Sequence, residues 1–463
     1  MTAGFVTVPE RDAIRLRNAT VPAALMTGVP PGVPVSPDGL AVVDLAIRDA
    51  RIAAVLAPTE SPLADADVDL QRAQVWPCLI DMHTHLDKGH TWERAPNPDG
   101  TFAGALRTVA ADRAASWSAD DVRRRMDFGL RCSWAHGTRA VRTHLDSMSP
   151  QGAITWPVFE ELRKQWAGRI ELQAVSLAPL QVFGTAEGTE VANRVAAAGG
   201  ILGAVAFVSP EIDALLDRLL DLAAERGLAV DFHCDESGDV GARALAHIAR
   251  AIVRRRFAGR AVCGHCCSLA IQPPDVVAET LDLTAAAGIS VVSLPMCNLY
   301  LQDRVPGRTP RWRGVTLLHE FAARHVRVAV ASDNCRDAFY GFGDHDMVEV
   351  FREATRLCHL DRPYGDWPRA VTTTPADLMG LSGAGRIGPG LPADLVLFEG
   401  RMWSELLSRP QANRVVLRNG RAIERSLPDY RELDDLLGRG LAPLGRGLAP
   451  LGRGRAPLRG GPR

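Results

Sequence analysis

Short apolar runs recur through the middle of the chain, several ending in histidine or a carboxylate, with loops and amphipathic stretches between them. The runs are CLIDMHTHLD (78–87), RAVRTHLD (139–146), ELQAVSLAPL (171–180), ILGAVAFV (201–208), AVDFHCDE (229–236), AVCGHCC (261–267), SVVSLPM (290–296) and VRVAVASDN (326–334). Their length and apolarity predict eight strands. Residues 119–137 and 211–227 carry apolar positions at three- and four-residue spacing, which predicts helices between the strands. Eight β/α units in one region favour an α/β fold of the (β/α)8 TIM-barrel type over an open doubly wound sheet. In five of the eight runs the polar residue follows the apolar stretch at its C-terminal end, the face on which such barrels keep their chemistry.

Both ends of the chain read differently. Residues 13–75 alternate apolar and polar positions in short bursts broken by Pro and Gly, and 393–400 and 413–425 do the same. These pieces predict a small β-sandwich domain built from both chain ends, as residues 1–75 and 385–430, around a catalytic barrel at 76–384. Residues 431–463 form a tail. From 438 it repeats a seven-residue unit with Gly and Pro in every copy, a pattern hostile to helix and strand that predicts disorder.

Composition narrows the function. A 463-residue chain that is 46% hydrophobic and 23% charged fits a soluble globular protein with a large core. The net charge of −1 implies no nucleic-acid partner, and no stretch reaches the apolar length of a membrane helix or signal peptide. Nine scattered cysteines fit reduced thiols, so a cytoplasmic location is expected. Cys263-Gly264-His265-Cys266 matches a redox CxxC, but it ends a barrel strand instead of opening a helix in a small domain.

His83-Thr84-His85 follows the run CLIDM, and alternate strand residues project to one side, so the two imidazoles can hold one metal as a pair. His233 and Asp333 end two other runs and bring a third imidazole and a carboxylate to the same face. Three nitrogens and one oxygen suit Zn2+ or Fe2+ better than Mg2+ or Ca2+. Such a cation lowers the pKa of bound water from near 16 toward roughly 7. Glu236, three residues past His233, is placed to act as general acid and base, with Asp235 as its competitor. His265, ending the sixth run, faces the same cavity as a partner for the developing tetrahedral centre.

Several segments resemble the cytosine deaminase branch of the amidohydrolase superfamily, in the same order: HTHLDKGHTWERAPNPDGT, HGTRAVRTHLD, LQAVSL, DFHCDES, GHCC, LPMCNLYLQDRVPGRTPRWRGVT, ASDNCRDAFYGFGDHDM and GRIGPGLPADLVLFEG. The resemblance implies one catalytic divalent metal held by His83, His85, His233 and Asp333, with Glu236 as proton shuttle and His265 and Asp333 stabilising the adduct. It implies conversion of cytosine to uracil and ammonia as the first expectation for a small-molecule substrate, and homo-oligomers are common among such relatives. Related two-metal amidohydrolases use a carbamylated lysine on the fourth strand. Here the only lysines are Lys88 and Lys164, neither on that strand, which argues for one metal.

Two departures bear on the substrate. Where many cytosine deaminases carry Phe-Pro-Gln, this chain has Leu177-Ala178-Pro179 with Gln181 slightly later, making Pro179 and Gln181 the candidate ring contacts. Asn334 stands where cytosine-specific members carry a second aspartate, and its amide both donates and accepts. The alternatives are therefore isocytosine, creatinine or an N-substituted aminotriazine. A two-metal cyclic amidase and a catalytically dead metal-binding scaffold complete the field.

Overall fold

In the computed structural model, which describes residues 4–438, the eight apolar runs of the central region all form parallel strands. The N-terminal strands β1 (Ala13–Pro22), β2 (Leu40–Arg48), β3 (Arg51–Leu56), β4 (Asp67–Asp69) and β5 (Gln74–Pro77) precede them. The central strands are β6 (Leu79–Thr84), β7 (Thr138–Asp146), β8 (Glu171–Leu177), β9 (Leu202–Ala206), β10 (Val230–Cys234), β11 (Ala261–His265), β12 (Ser290–Ser293) and β13 (Val328–Val330). Three C-terminal strands follow: β14 (Leu395–Phe398), β15 (Val415–Arg418) and β16 (Arg421–Ala422).

Strands β6-β7-β8 form one parallel sheet and β9 to β13 another. Isolated parallel bridges tie the two together, Val175 to Ile201 and Pro179 to Val205 on one side and Thr84 to Asp333 on the other. Every residue of β10, β11 and β12 is buried, as parallel strands covered on both faces require. The helices predicted at 119–137 and 211–227 form as Ala119–His136 and Ile212–Glu225. Ser118 caps the first, accepting from Asp121 N at 3.2 Å, and Gly137 ends it at φ 90°, a conformation glycine adopts without strain.

The terminal strands join in one sheet of order β16-β15-β14-β5-β1-β2-β3, with β4 beside β1. The C-terminal β14 pairs directly with β5, so strands from the two halves of the chain share a ladder. Trp76 on β5 packs edge-on against Phe351, Phe398 and Trp403 at 5.4, 6.1 and 5.7 Å, an aromatic cluster that seats this sheet against the helix Met347–Cys358.

The stretch ahead of the repeat makes contacts of its own. Within residues 431–437, Leu433 is buried, and the half-buried Leu436 and Leu437 lie with it against Phe128 and Cys132 of the helix Ala119–His136. Apolar residues LDDLL precede the Gly/Arg/Pro repeat and supply that contact. The repeat itself, from 439, lies outside the described residues.

Candidate active site

The ends of β6 and β13 are zipped together by backbone. Asp333 N donates to His83 O at 2.9 Å, His85 N donates to Asp333 O at 3.3 Å, and Thr84 Oγ1 donates to the same carbonyl at 2.8 Å. That pairing brings His83 and His85 to Asp333 across 250 residues of sequence, and the ladder of β10 between β9 and β11 sets His233 beside them. The Nε2 atoms of His83 and His85 lie 3.1 and 3.2 Å from His233 Nε2, and Asp333 Oδ1 lies 3.7 and 3.2 Å from His83 and His85 Nε2. Gly264 makes room for this packing, since a Cβ there would fall 2.8 Å from His83 Cε1. Asp333 (φ 61°) and His265 (φ 70°) leave their strands in left-handed conformations, a strain of order 1–3 kcal/mol each that recurs at functional sites.

The donor set fits a divalent transition metal. Both carboxylate oxygens of Asp333 are buried without a geometrically sound hydrogen bond among the described residues, an arrangement that a bound cation would satisfy. Burial pushes the Asp333 carboxyl up and the pKa values of His83, His85 and His233 well down, so the three rings are neutral and offer lone pairs. Ligand nitrogens about 3.3–3.4 Å apart follow from Zn–N bonds of about 2.0–2.1 Å at tetrahedral angles, close to the spacings observed.

Glu236 and Asp235 part ways. Asp235 turns back to the helix Ala244–Arg255, its carboxylate accepting from Ala244 N at 2.7 Å and Leu245 N at 3.0 Å. Glu236 faces the cavity, buried, with Oε1 3.3 Å from Asn298 Nδ2 and 3.3 Å from His265 Nδ1. Burial first, then the Asp333 carboxylate, push the Glu236 carboxyl well above the usual glutamate range. Asn298 Nδ2 also donates to His265 Nδ1 at 3.0 Å, which leaves the ring proton on Nε2. That Nε2 has no partner among the described residues, and burial pushes the His265 pKa down to about 3, so the ring is a neutral donor.

A cavity of about 890 Å3 opens over this cluster, lined by His85, His233, Glu236, His265, Asp333 and Asn334 at its polar end. Phe102, Trp117, Met148, Phe207 and Phe339 supply apolar wall. Pro179 is part of that wall. Gln181 is not: it sits exposed on the turn Leu180–Gly184, whose neighbours Leu180, Val182 and Phe183 take the buried positions, so the expected ring contact from Gln181 is corrected. Asn334 holds its amide to Asp337 Oδ2 at 2.7 Å.

Several site residues were not anticipated. His144 on β7 stacks 3.9 Å from the His83 ring and joins His83 and His233 as a third clustered imidazole, and it too sits near the end of an apolar run. Lys88 is buried at the cavity, 2.8 Å from Asp146 Oδ1 and 3.4 Å from His85 Nδ1. Burial alone would discharge it, but Asp146 and Asp87 outweigh burial and raise its pKa, so it is a fixed cation instead of a carbamate. Lys164 lies in the helix Gly152–Gln165 and β9 contains no lysine. The CxxC cysteines are unbonded thiols, with Cys266 3.7 Å from Cys234, and this contact together with burial raises the Cys266 pKa well above the ordinary thiol value.

Residues 156–423 match the amidohydrolase family model. The chain belongs to the amidohydrolase family. It is a hydrolase. This amidohydrolase is 53% identical over 439 residues to the pterin deaminase of Rhizobium rhizogenes, covering 95% of this chain and all of that one. It is 25% identical to the N-isopropylammelide isopropyl amidohydrolase of a Pseudomonas species, over 82% of this chain and 93% of that one. The crystal structure of 5-methylcytosine deaminase from Klebsiella pneumoniae with 5-fluorocytosine shares the fold, with TM-score 0.76, 23% identity, and coverage of 90% of this chain and 98% of that one. No helix among the described residues is long and apolar enough to cross a membrane.

Proposed function

We propose that this amidohydrolase hydrolytically deaminates a pterin-type fused ring, releasing ammonia from the amino-bearing carbon. Identity of 53% along 95% of the chain to a pterin deaminase supports this reading most directly. The cavity agrees, since 890 Å3 lies high in the roughly 300–1,000 Å3 range of small-molecule pockets and exceeds what a single pyrimidine ring fills. Cytosine, expected from the motifs, is the principal competitor. The scaffold in this reading is a closed (β/α)8 barrel, completed by the bridges at Thr84 and Val175, with the terminal sheet folded on itself as the small sandwich.

His83, His85, His233 and Asp333 would hold one Zn2+ or Fe2+, which supplies hydroxide at neutral pH by acidifying water. Glu236, kept protonatable by burial, takes the proton that water loses and gives it to the ring nitrogen beside the attacked carbon, then carries the proton of the new hydroxyl to the amino group, so that ammonia leaves as the ring carbonyl forms. His265 donates from Nε2 to the new oxygen, its orientation fixed by Asn298. Asn334 and Pro179 border the ring, and the aromatic wall excludes water from it.

Ammonia release from pterin, cytosine, 5-methylcytosine, isocytosine, creatinine and an aminotriazine, with protein loaded separately with Zn2+ and Fe2+, decides the substrate. The expected kcat/KM for pterin exceeds that for cytosine by on the order of a hundredfold. A preference for cytosine, or no ammonia from any ring, overturns the reading.

A further inference from the structure

A second cluster of metal-ligating side chains lies outside the catalytic centre. His90 in the loop after β6, Cys335 just after β13 and His345 ahead of the helix Met347–Cys358 bring their ligand atoms within 4.8 Å of one another. His90 Nε2 and His345 Nε2 are 3.2 Å apart, close to the spacing of about 3.3–3.4 Å that two tetrahedral Zn–N bonds impose. All three residues are buried, and none belongs to the hydrolytic machinery described above. Three chain segments converge here, and the strand-end loops carrying His90 and Cys335 are bonded to each other, His90 N donating to Cys335 O at 3.0 Å.

The backbone is committed to this arrangement. His90 (φ 62°) and His345 (φ 55°) both sit in the left-handed region, which costs a non-glycine residue of order 1–3 kcal/mol and persists where the surroundings enforce it. On the facing helix, Gly129 leaves the ring its space, because a Cβ there would fall 2.9 Å from His345 Nε2. Negative charge is close at hand: Asp344, next to His345, is fixed by His136 Nε2 at 2.8 Å and by Tyr430 Oη at 2.7 Å. Two imidazoles and a thiol select Zn2+ or another thiophilic transition ion over Mg2+ or Ca2+.

We propose that His90, Cys335 and His345 form a second, structural transition-metal site of the Zn2+ class, one that ties the loops following β6 and β13 to the start of the helix Met347–Cys358. Because Cys335 is two residues from Asp333, the site braces the loop that carries the catalytic carboxylate. It is independent of the substrate and differs from a carbamate-bridged pair in using a thiolate and no lysine.

Full-length protein expressed with Zn2+ and dialysed against metal-free buffer is expected to retain two zinc ions per chain by mass spectrometry, and Cys335→Ser to retain one. Loaded with Co2+, the protein should show a near-ultraviolet thiolate-to-cobalt charge-transfer band that Cys335→Ser abolishes. The band should survive in the His83→Ala/His85→Ala double variant, which keeps one ion, so this second protein decides the matter if Cys335→Ser does not fold. A single ion in the parent protein, a second ion that persists in Cys335→Ser, or loss of the band with the catalytic histidines overturns the proposal, and none of these outcomes depends on which ring is deaminated.

Discussion

Glu236 is the residue on which turnover rests in the proposed reaction, and its neighbour shows how little separates a catalytic carboxylate from a structural one. In the string His233-Cys234-Asp235-Glu236 both acids follow the same histidine, and side-chain chemistry does not distinguish them. The two helix N–H groups that Asp235 accepts do. Glu236→Gln keeps the size and the polar contact with Asn298 but cannot carry the proton, so kcat should fall by roughly 10²–10⁴ while the metal content stays at the parental value. Parallel turnover and metal assays check this, and a variant with parental kcat would sink the shuttle assignment. Asn298→Ala should also lower kcat, by less, since it frees the His265 ring without removing its proton.

At the scale of the element, the helix Ala119–His136 supports the site from outside it. Arg125, fully buried, donates to Asp87 O at 2.5 Å and Gly89 O at 3.0 Å, holding the loop between His85 and His90, while Asp121 binds both Arg125 and Arg94. Asp121→Asn leaves buried guanidinium charge unpaired and should cost about 3–5 kcal/mol in urea denaturation at pH 7. Burial alone would raise the Asp121 carboxyl, but Arg94 and Arg125 outweigh it and hold it below 3.8. A carboxyl depressed on folding stabilises above its unfolded pKa, about 3.9, and ceases to do so as pH falls through the folded value. The difference between parent and Asp121→Asn should therefore be full at pH 5 to 7 and shrink below about pH 4. An undiminished difference at pH 3 would assign the effect to packing. The periodicity of 119–137 revealed this helix, but its ion-pair partner Arg94 lies in a loop with no periodic signal.

Across the whole molecule, the stretch just before the repeat packs back onto the helix Ala119–His136. Leu433 is buried, Arg124 and Arg131 reach Asp435 and Glu432 at 2.6 and 2.7 Å, and Arg94 Nη1 donates to Leu436 O at 3.2 Å. The ion pairs are exposed and contribute little, so the buried leucine dominates. A chain ended at residue 428 should be less stable than one ended at 438 by about 2–3 kcal/mol. Equal melting of the two would show that this contact does not matter. Loss of Tyr430 in the shorter chain also frees one side of Asp344, which gives the same pair of proteins a readout on zinc retention at His90, Cys335 and His345.

The sequence by itself determined the eight central strands, the strands of the terminal sheet and the strand-end positions of His83, His85, His233 and Asp333, because burial writes a periodic apolar pattern and strand ends carry the polar residues of such folds. It also marked Glu236 and His265 through their place after apolar runs. Only the tertiary structure separated Asp235 from Glu236, turned Gln181 outward, brought Lys88 and His144 to the cavity and assembled His90 with Cys335 and His345. Those outcomes depend on which way a side chain leaves a loop and on contacts between segments remote in the chain, and neither leaves a local pattern to read.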